Sequence, residues 1–199
     1  MSRSTNNTKE KIIKAAIEVL ENKNYQNMKT ADIAKKAGVA EGTLYRYFKN
    51  KENIFSEVLR EYTSVEMDKV FCGVSAKKSL TENLEILGKN FYNEVLEDKK
   101  IHKILYKAFS EIEVLEIKEI LRELLDCKSD KLEEIFRWEV EKKGIDISHH
   151  ELELLALSAW GVAEVIIKKH ILDSKKKNSK KDIKKLLLVY AEILEKYRK

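Results

Sequence analysis

Residues 38–51 read GVAEGTLYRYFKNK, and how this stretch folds decides the fold of the whole chain. An ordinary amphipathic helix would hide its rings and keep glycine out, since glycine costs about 1 kcal/mol relative to alanine in a helix interior. Here Gly38 and Gly42 stand beside Thr43, Tyr45 and Tyr47, and the rings are interleaved with Arg46, Lys49 and Lys51. The preceding segment, TADIAKKAG at 30–38, puts Ile33, Ala34 and Ala37 on one face of a brief helix. Thr30 is the expected cap of that helix and Gly38 its terminator.

Two short helices around a tight glycine turn, with small apolar residues at the corner, are the signature of a helix-turn-helix. Ala34 lets the second helix approach, and Val39 and Leu44 are expected to anchor it, leaving its other residues outward. Those residues carry the chemistry a DNA groove requires. Gly42 admits a close backbone, Thr43 offers a hydroxyl, and Tyr45 and Tyr47 end in phenolic donors for phosphate oxygens. Lys51, in the first turn of the next helix, adds a charge beside backbone amides that attract anions. Phe48 is expected in the core. The competing reading is that both tyrosines pack on neighbouring helices.

Charge distribution agrees with a nucleic-acid footprint at one end. The chain has 199 residues and a net charge of +5, but residues 1–51 hold eleven Lys/Arg against five Asp/Glu, whereas residues 52–199 are close to neutral. The hydrophobic content of 43% is spread along the chain, and no apolar run approaches a membrane span. The opening MSRSTNNTKEK lacks the apolar core of a secretory signal, so the cytoplasm is the expected compartment. The two cysteines, Cys72 and Cys127, share no motif spacing and are expected to be plain thiols. Proline is absent, which favours uninterrupted helices.

Helical periodicity runs the length of the chain. A first helix is expected from a Thr8 cap to about Asn22, and a fourth from an Asn50 cap through Ile54, Phe55, Val58, Leu59 and Tyr62. Ser79 with Glu82 and Ser148 with Glu151 make capping boxes before two further helices, and Gly144 stops the long segment that starts near Glu113. The lysine run at 175–181 reads as a solvated loop, and a last helix carries Ile183, Leu186, Leu187, Tyr190, Leu194 and Tyr197. The expected fold is all-α with about nine helices. Residues 1–51 would form the helix-turn-helix domain, linked through helix 51–72, and residues 52–199 a larger helical domain.

The stretch TADIAKKAGVAEGTLYRYFKNKENIF, with TKEKIIKAAIEVLENKNY before it, resembles the DNA-binding segment of the tetracycline-repressor (TetR) family of bacterial regulators. The resemblance covers roughly the first quarter of the chain. It implies that Thr30, Thr43, Tyr45, Tyr47 and Lys51 touch phosphates and that Glu41, Gly42, Thr43 and Arg46 lie near base edges. A carboxylate such as Glu41 is repelled by phosphates unless it accepts from a cytosine amino group, and it has the alternative role of compensating a helix N-terminus.

The resemblance further implies a homodimer on a palindromic double-stranded operator, released by a small-molecule inducer. The dimer would use the last two helices, through Leu155, Trp160, Gly161, Leu187, Tyr190 and Leu194. Residues 151–172 are apolar on nearly every side, which independently suggests a partner helix. The expected ligand pocket draws on Phe91, Tyr92, His102, Tyr106, Phe109, Phe136, Trp138, Trp160 and Glu164, although rings at helical spacing also serve as ordinary core. Glu164 interrupts an apolar run and needs a partner if buried.

No glycine-rich phosphate loop, zinc motif or nucleophile elbow occurs, so neither an enzyme nor a cofactor is expected. His149 and His150 point in different directions from a helix start and are not read as metal ligands. The alternative function is a helical interaction or sensor protein without sequence-specific DNA binding.

Overall fold

The computed structural model describes residues 2–97, 99–172 and 179–198. Among them the secondary structure is wholly helical: α1 (Ser2–Asn22), α2 (Thr30–Ala37), α3 (Glu41–Tyr47), α4 (Lys51–Val70), α5 (Leu80–Glu97), α6 (Lys99–Phe109), α7 (Leu115–Lys143), α8 (His149–Leu172) and α9 (Ser179–Glu195). Most of the lysine run at 175–181 lies outside the described residues.

The punctuation of the helices follows the local chemistry, with two exceptions. Gly38 adopts φ 69°, and the amides of Gly38 and Val39 bond the carbonyls of Lys35 and Ala34, the paired bonds of a left-handed C-terminal cap. Gly144, at φ 62°, ends α7. The Asn50 carboxamide accepts from the Asn53 amide at 2.7 Å and caps α4. Both serine–glutamate boxes close reciprocally, with the Ser79 and Ser148 hydroxyls donating to Glu82 and Glu151 at 2.7 and 2.6 Å. The exceptions are the two threonines. Thr8 lies inside α1, which starts at Ser2, and Thr30 is the first residue of α2, with Lys29 at the cap position and no side-chain cap bond. The Thr30 hydroxyl bonds Glu41 instead.

Two compact units share these helices. The first comprises residues 1–65 and 98–124. Its core joins Ile12, Ala16 and Leu20 of α1 to Ile33, Leu44, Phe48, Ile54, Phe55 and Val58, and includes Ile104, Ala108, Ile117 and Ile120. The second comprises residues 66–97 and 125–199. Its core is built from Leu84, Leu87 and Phe91 of α5, Leu132, Ile135 and Phe136 of α7, Leu152, Ala156, Ala159 and Ala163 of α8, and Ile183, Leu187, Tyr190 and Leu194 of α9. The closest packing there is between α5 and α9, where Gly88 leaves so little room that an added Cβ would lie 2.7 Å from Leu187 Cδ1. Packing draws these units across α4 and α7, so they differ in kind from a functional division at residue 51.

Candidate nucleic-acid interface and apolar cavity

The α3 helix is positioned by two side chains one turn apart. Leu44 is fully buried, and Phe48, in extended conformation just past the helix, is equally enclosed. With those two pinned in the first core, Glu41, Gly42, Tyr45, Arg46 and Lys49 are exposed, while Thr43, Tyr47 and Lys51 are half-buried. Lys29, Lys35 and Lys36 of the neighbouring segment are exposed as well. A Cβ built on Gly42 meets nothing within 4 Å, so no packing inside the protomer demands a glycine there.

The two tyrosines part company. Tyr45 is 50% exposed. Tyr47 lays part of its ring against the first core, so it combines the outward reading with the packing one. The Lys51 ammonium lies 4.2 Å from the centroid of the Tyr25 ring and donates to the Gln26 carbonyl at 3.1 Å, which holds it at the mouth of the loop between α1 and α2. Tyr25 donates in turn to Glu52 at 2.5 Å. Burial and this bond raise the Tyr25 pKa, and the same bond lowers that of Glu52. No local pattern foreshadowed this support, because Tyr25 sits in a loop without periodicity.

Thr30, Glu41 and Tyr45 meet on the surface beside the helix-turn-helix corner. The Thr30 hydroxyl donates to a Glu41 carboxylate oxygen at 2.6 Å and lies 3.2 Å from the Tyr45 hydroxyl. Glu41 therefore has a bonded partner across the corner, which goes beyond compensating the start of α3.

In the second unit, Val70, Leu87, Gly88, Phe91, Leu132, Ala159, Trp160, Ala163, Ile183 and Leu187 line a partly open apolar cavity of about 20 Å³, room for little more than one water. Of the residues expected in a ligand pocket, Phe91 and Trp160 line it, with ring centroids 4.8 Å apart. Glu164 adjoins the wall by accepting from the Trp160 indole at 2.8 Å, and also accepts from Lys168 at 3.2 Å. Behind the indole, the Lys128 ammonium lies 5.1 Å from the ring centroid and pairs with Glu66 at 3.3 Å, both side chains being buried.

The other expected pocket residues do not line this cavity. His102 is buried in the first unit, edge-on to Tyr62, and Tyr106 and Phe109 of the same unit are exposed. Phe136 is enclosed by the second core, with Trp138 packed on that core and Tyr92 half-buried at its edge. The stripe of rings was composed mostly of core and surface positions.

The expected dimer residues also divide. Leu187, Tyr190 and Leu194 are at most 7% exposed within the single chain, so they have almost no surface left to give a partner. Leu155 and Trp160 are half-buried, and Gly161 is exposed with open space over its Cα. Leu154, Leu157, Val162 and Val165 are exposed on the same helix.

The family model for bacterial regulatory proteins of the tetR family matches residues 12–58, the span from α1 to the middle of α4. The fatty acid metabolism regulator protein of Bacillus subtilis (strain 168) is 30% identical over 139 residues, covering 68% of this chain and 72% of that protein. The chain belongs to the TetR family. Solved structures of regulators share its fold. FadR from Bacillus subtilis in complex with stearoyl-CoA superposes with a TM-score of 0.66 at 22% identity over 95% of this chain and 97% of that one. The fatty acid degradation regulator FadR from Bacillus halodurans gives 0.69 at 24% over 92% and 93%. As a TetR-family transcription regulator the chain uses its helix-turn-helix for DNA, and its relatives are regulators rather than enzymes. No helix among the described residues is long and apolar enough to cross a membrane.

Proposed function

We propose that this regulator is a repressor that binds a palindromic operator as a homodimer and lets go when a long acyl thioester binds. In this reading residues 1–51 supply the DNA contacts, and residues 52–199 bind the ligand and dimerise. The observation that carries the DNA part is the geometry of α3. Leu44 and Phe48 fix the helix from within, while Tyr45, Arg46, Glu41 and the unhindered Gly42 face solvent beside the half-buried Thr43, Tyr47 and Lys51.

The acyl class is supported by the relative that regulates fatty acid metabolism, by the stearoyl-CoA complex of the similarly folded FadR, and by the entirely apolar lining around Phe91 and Trp160. At about 20 Å³ the cavity is too small for an acyl chain, so the ligand must select a conformation in which α5, α8 and α9 have separated. A ligand that prefers one conformation shifts the population toward it. The DNA-competent conformation is then the closed, ligand-free one.

Fragments retained by the protein from a random duplex library provide the probe. Stearoyl-CoA should release them, whereas coenzyme A alone should not, because the apolar cavity has nothing to offer a nucleotide. Retention of the fragments in saturating stearoyl-CoA would defeat the ligand reading and leave the DNA reading intact. Lys51→Ala should weaken binding to every sequence and reduce the slope of log affinity against log salt by about 0.9. An unchanged slope would remove Lys51 from the phosphate contacts.

A further inference from the structure

The hydrogen bonds among Thr30, Glu41 and Tyr45 have a determined direction. Carboxylate oxygens only accept, so the Thr30 proton points at Glu41. The Thr30 oxygen is then left to accept, and the Tyr45 hydroxyl must donate to it. Two hydroxyls placed to bind phosphate oxygens thus spend their protons on an internal chain that ends on an anion. A carboxylate oxygen and a phosphate oxygen make the same demand of a hydroxyl, and charge-assisted bonds of this kind are the stronger ones.

We propose that Glu41 is an internal phosphate mimic that restrains Thr30 and Tyr45, so that DNA has to displace its carboxylate before those hydroxyls can engage the backbone. The proposal rests on the DNA-binding reading above and adds a determinant of specificity to it. Displacement penalises every sequence alike. On a site that presents a cytosine amino group, the freed carboxylate regains a donor; on other sequences it is left against phosphates. Glu41 therefore lowers affinity for random DNA more than for the chosen site.

A bare loss of negative charge near DNA also raises affinity, and the test has to separate the two effects. Glu41→Ala, Thr30→Val and the double variant would be titrated against a fluorescent random-sequence duplex and against a fragment selected by the wild-type protein, with thermal melting as the check on folding. All substituted side chains lie at or near the surface. With Thr30 present, Glu41→Ala should tighten binding to the random duplex by roughly ten-fold, and in the Thr30→Val background by roughly two-fold, the residue of the charge effect. The gain on the selected fragment should be several-fold smaller than on the random duplex. Equal gains in the two backgrounds would reduce Glu41 to a charge and overturn the mimicry. Equal gains on the two DNAs would overturn its part in specificity. Absence of binding by wild type and variants alike would overturn the DNA reading together with this inference, an outcome distinct from either of the others.

Discussion

Tyr25 shows how a residue outside the proposed DNA contacts holds one among them, Lys51. Its ring lies under the Lys51 ammonium and its hydroxyl donates to Glu52, so one loop side chain holds the first two residues of α4. The two pKa shifts agree in sense, since each favours a neutral phenol bonded to an ionised carboxylate. The raised phenol contributes stability that is complete below its unfolded value of 10.0 and is lost as pH climbs above it. The lowered Glu52 contributes stability that is complete above its ordinary 4.5 and is lost as pH falls through the folded value below that. Tyr25→Phe removes both contributions. Urea denaturation should therefore show the largest gap between wild type and Tyr25→Phe from about pH 5 to pH 9, with the gap closing at either extreme. A gap independent of pH would mean that the hydroxyl matters only through packing.

At the scale of helices, the sequence revealed ends marked by their own neighbours and missed those held from a distance. Gly38, Asn50, Ser79, Ser148 and Gly144 act within three or four residues, and each behaves as its type suggests. The C-terminus of α1 is different. Lys107, from α6, donates to the Leu20 carbonyl at 2.8 Å and the Lys23 carbonyl at 3.2 Å, more than eighty residues away in the chain. No local pattern could disclose it. Thr30 failed as a cap for a related reason: its hydroxyl is claimed by Glu41, a partner that only the fold brings near. The last carbonyls of a helix have no intrahelical donor, and a cation there also complements the helix dipole. Lys107→Met should accordingly destabilise the protein by about 1–2 kcal/mol, measured by urea unfolding, while Lys107→Arg should recover most of the loss. Equal losses in the two variants would assign the effect to packing of the lysine stem.

For the molecule as a whole, the apolar excess of α8 was legible in the sequence, but its direction was not, because periodicity cannot say which of several apolar faces the protomer itself covers. Leu152, Ala156, Ala159 and Ala163 turn inward, and the opposite stripe of Leu154, Leu157, Gly161, Val162 and Val165 is left exposed, with Leu157 at 46%. These positions recur three and four residues apart, so they form one continuous face on the helix. This exposed apolar face is the one available to the proposed homodimer, and the open space above Gly161 leaves room for a second helix to cross closely there. The final helix has spent Leu187, Tyr190 and Leu194 on the protomer's own core, so α8 carries the larger share of the proposed contact. Leu157→Glu combined with Val165→Glu places two carboxylates on each face and four in a symmetric pair. The double variant should sediment as a monomer at concentrations where wild type is dimeric, keep its helical circular dichroism, and lose roughly two orders of magnitude in affinity for selected DNA, because one helix-turn-helix reads only a half-site. If the variant stayed dimeric, the pairing surface would have to lie elsewhere on the chain. If it became monomeric yet bound DNA at full strength, cooperation between two half-sites would be ruled out as the source of affinity.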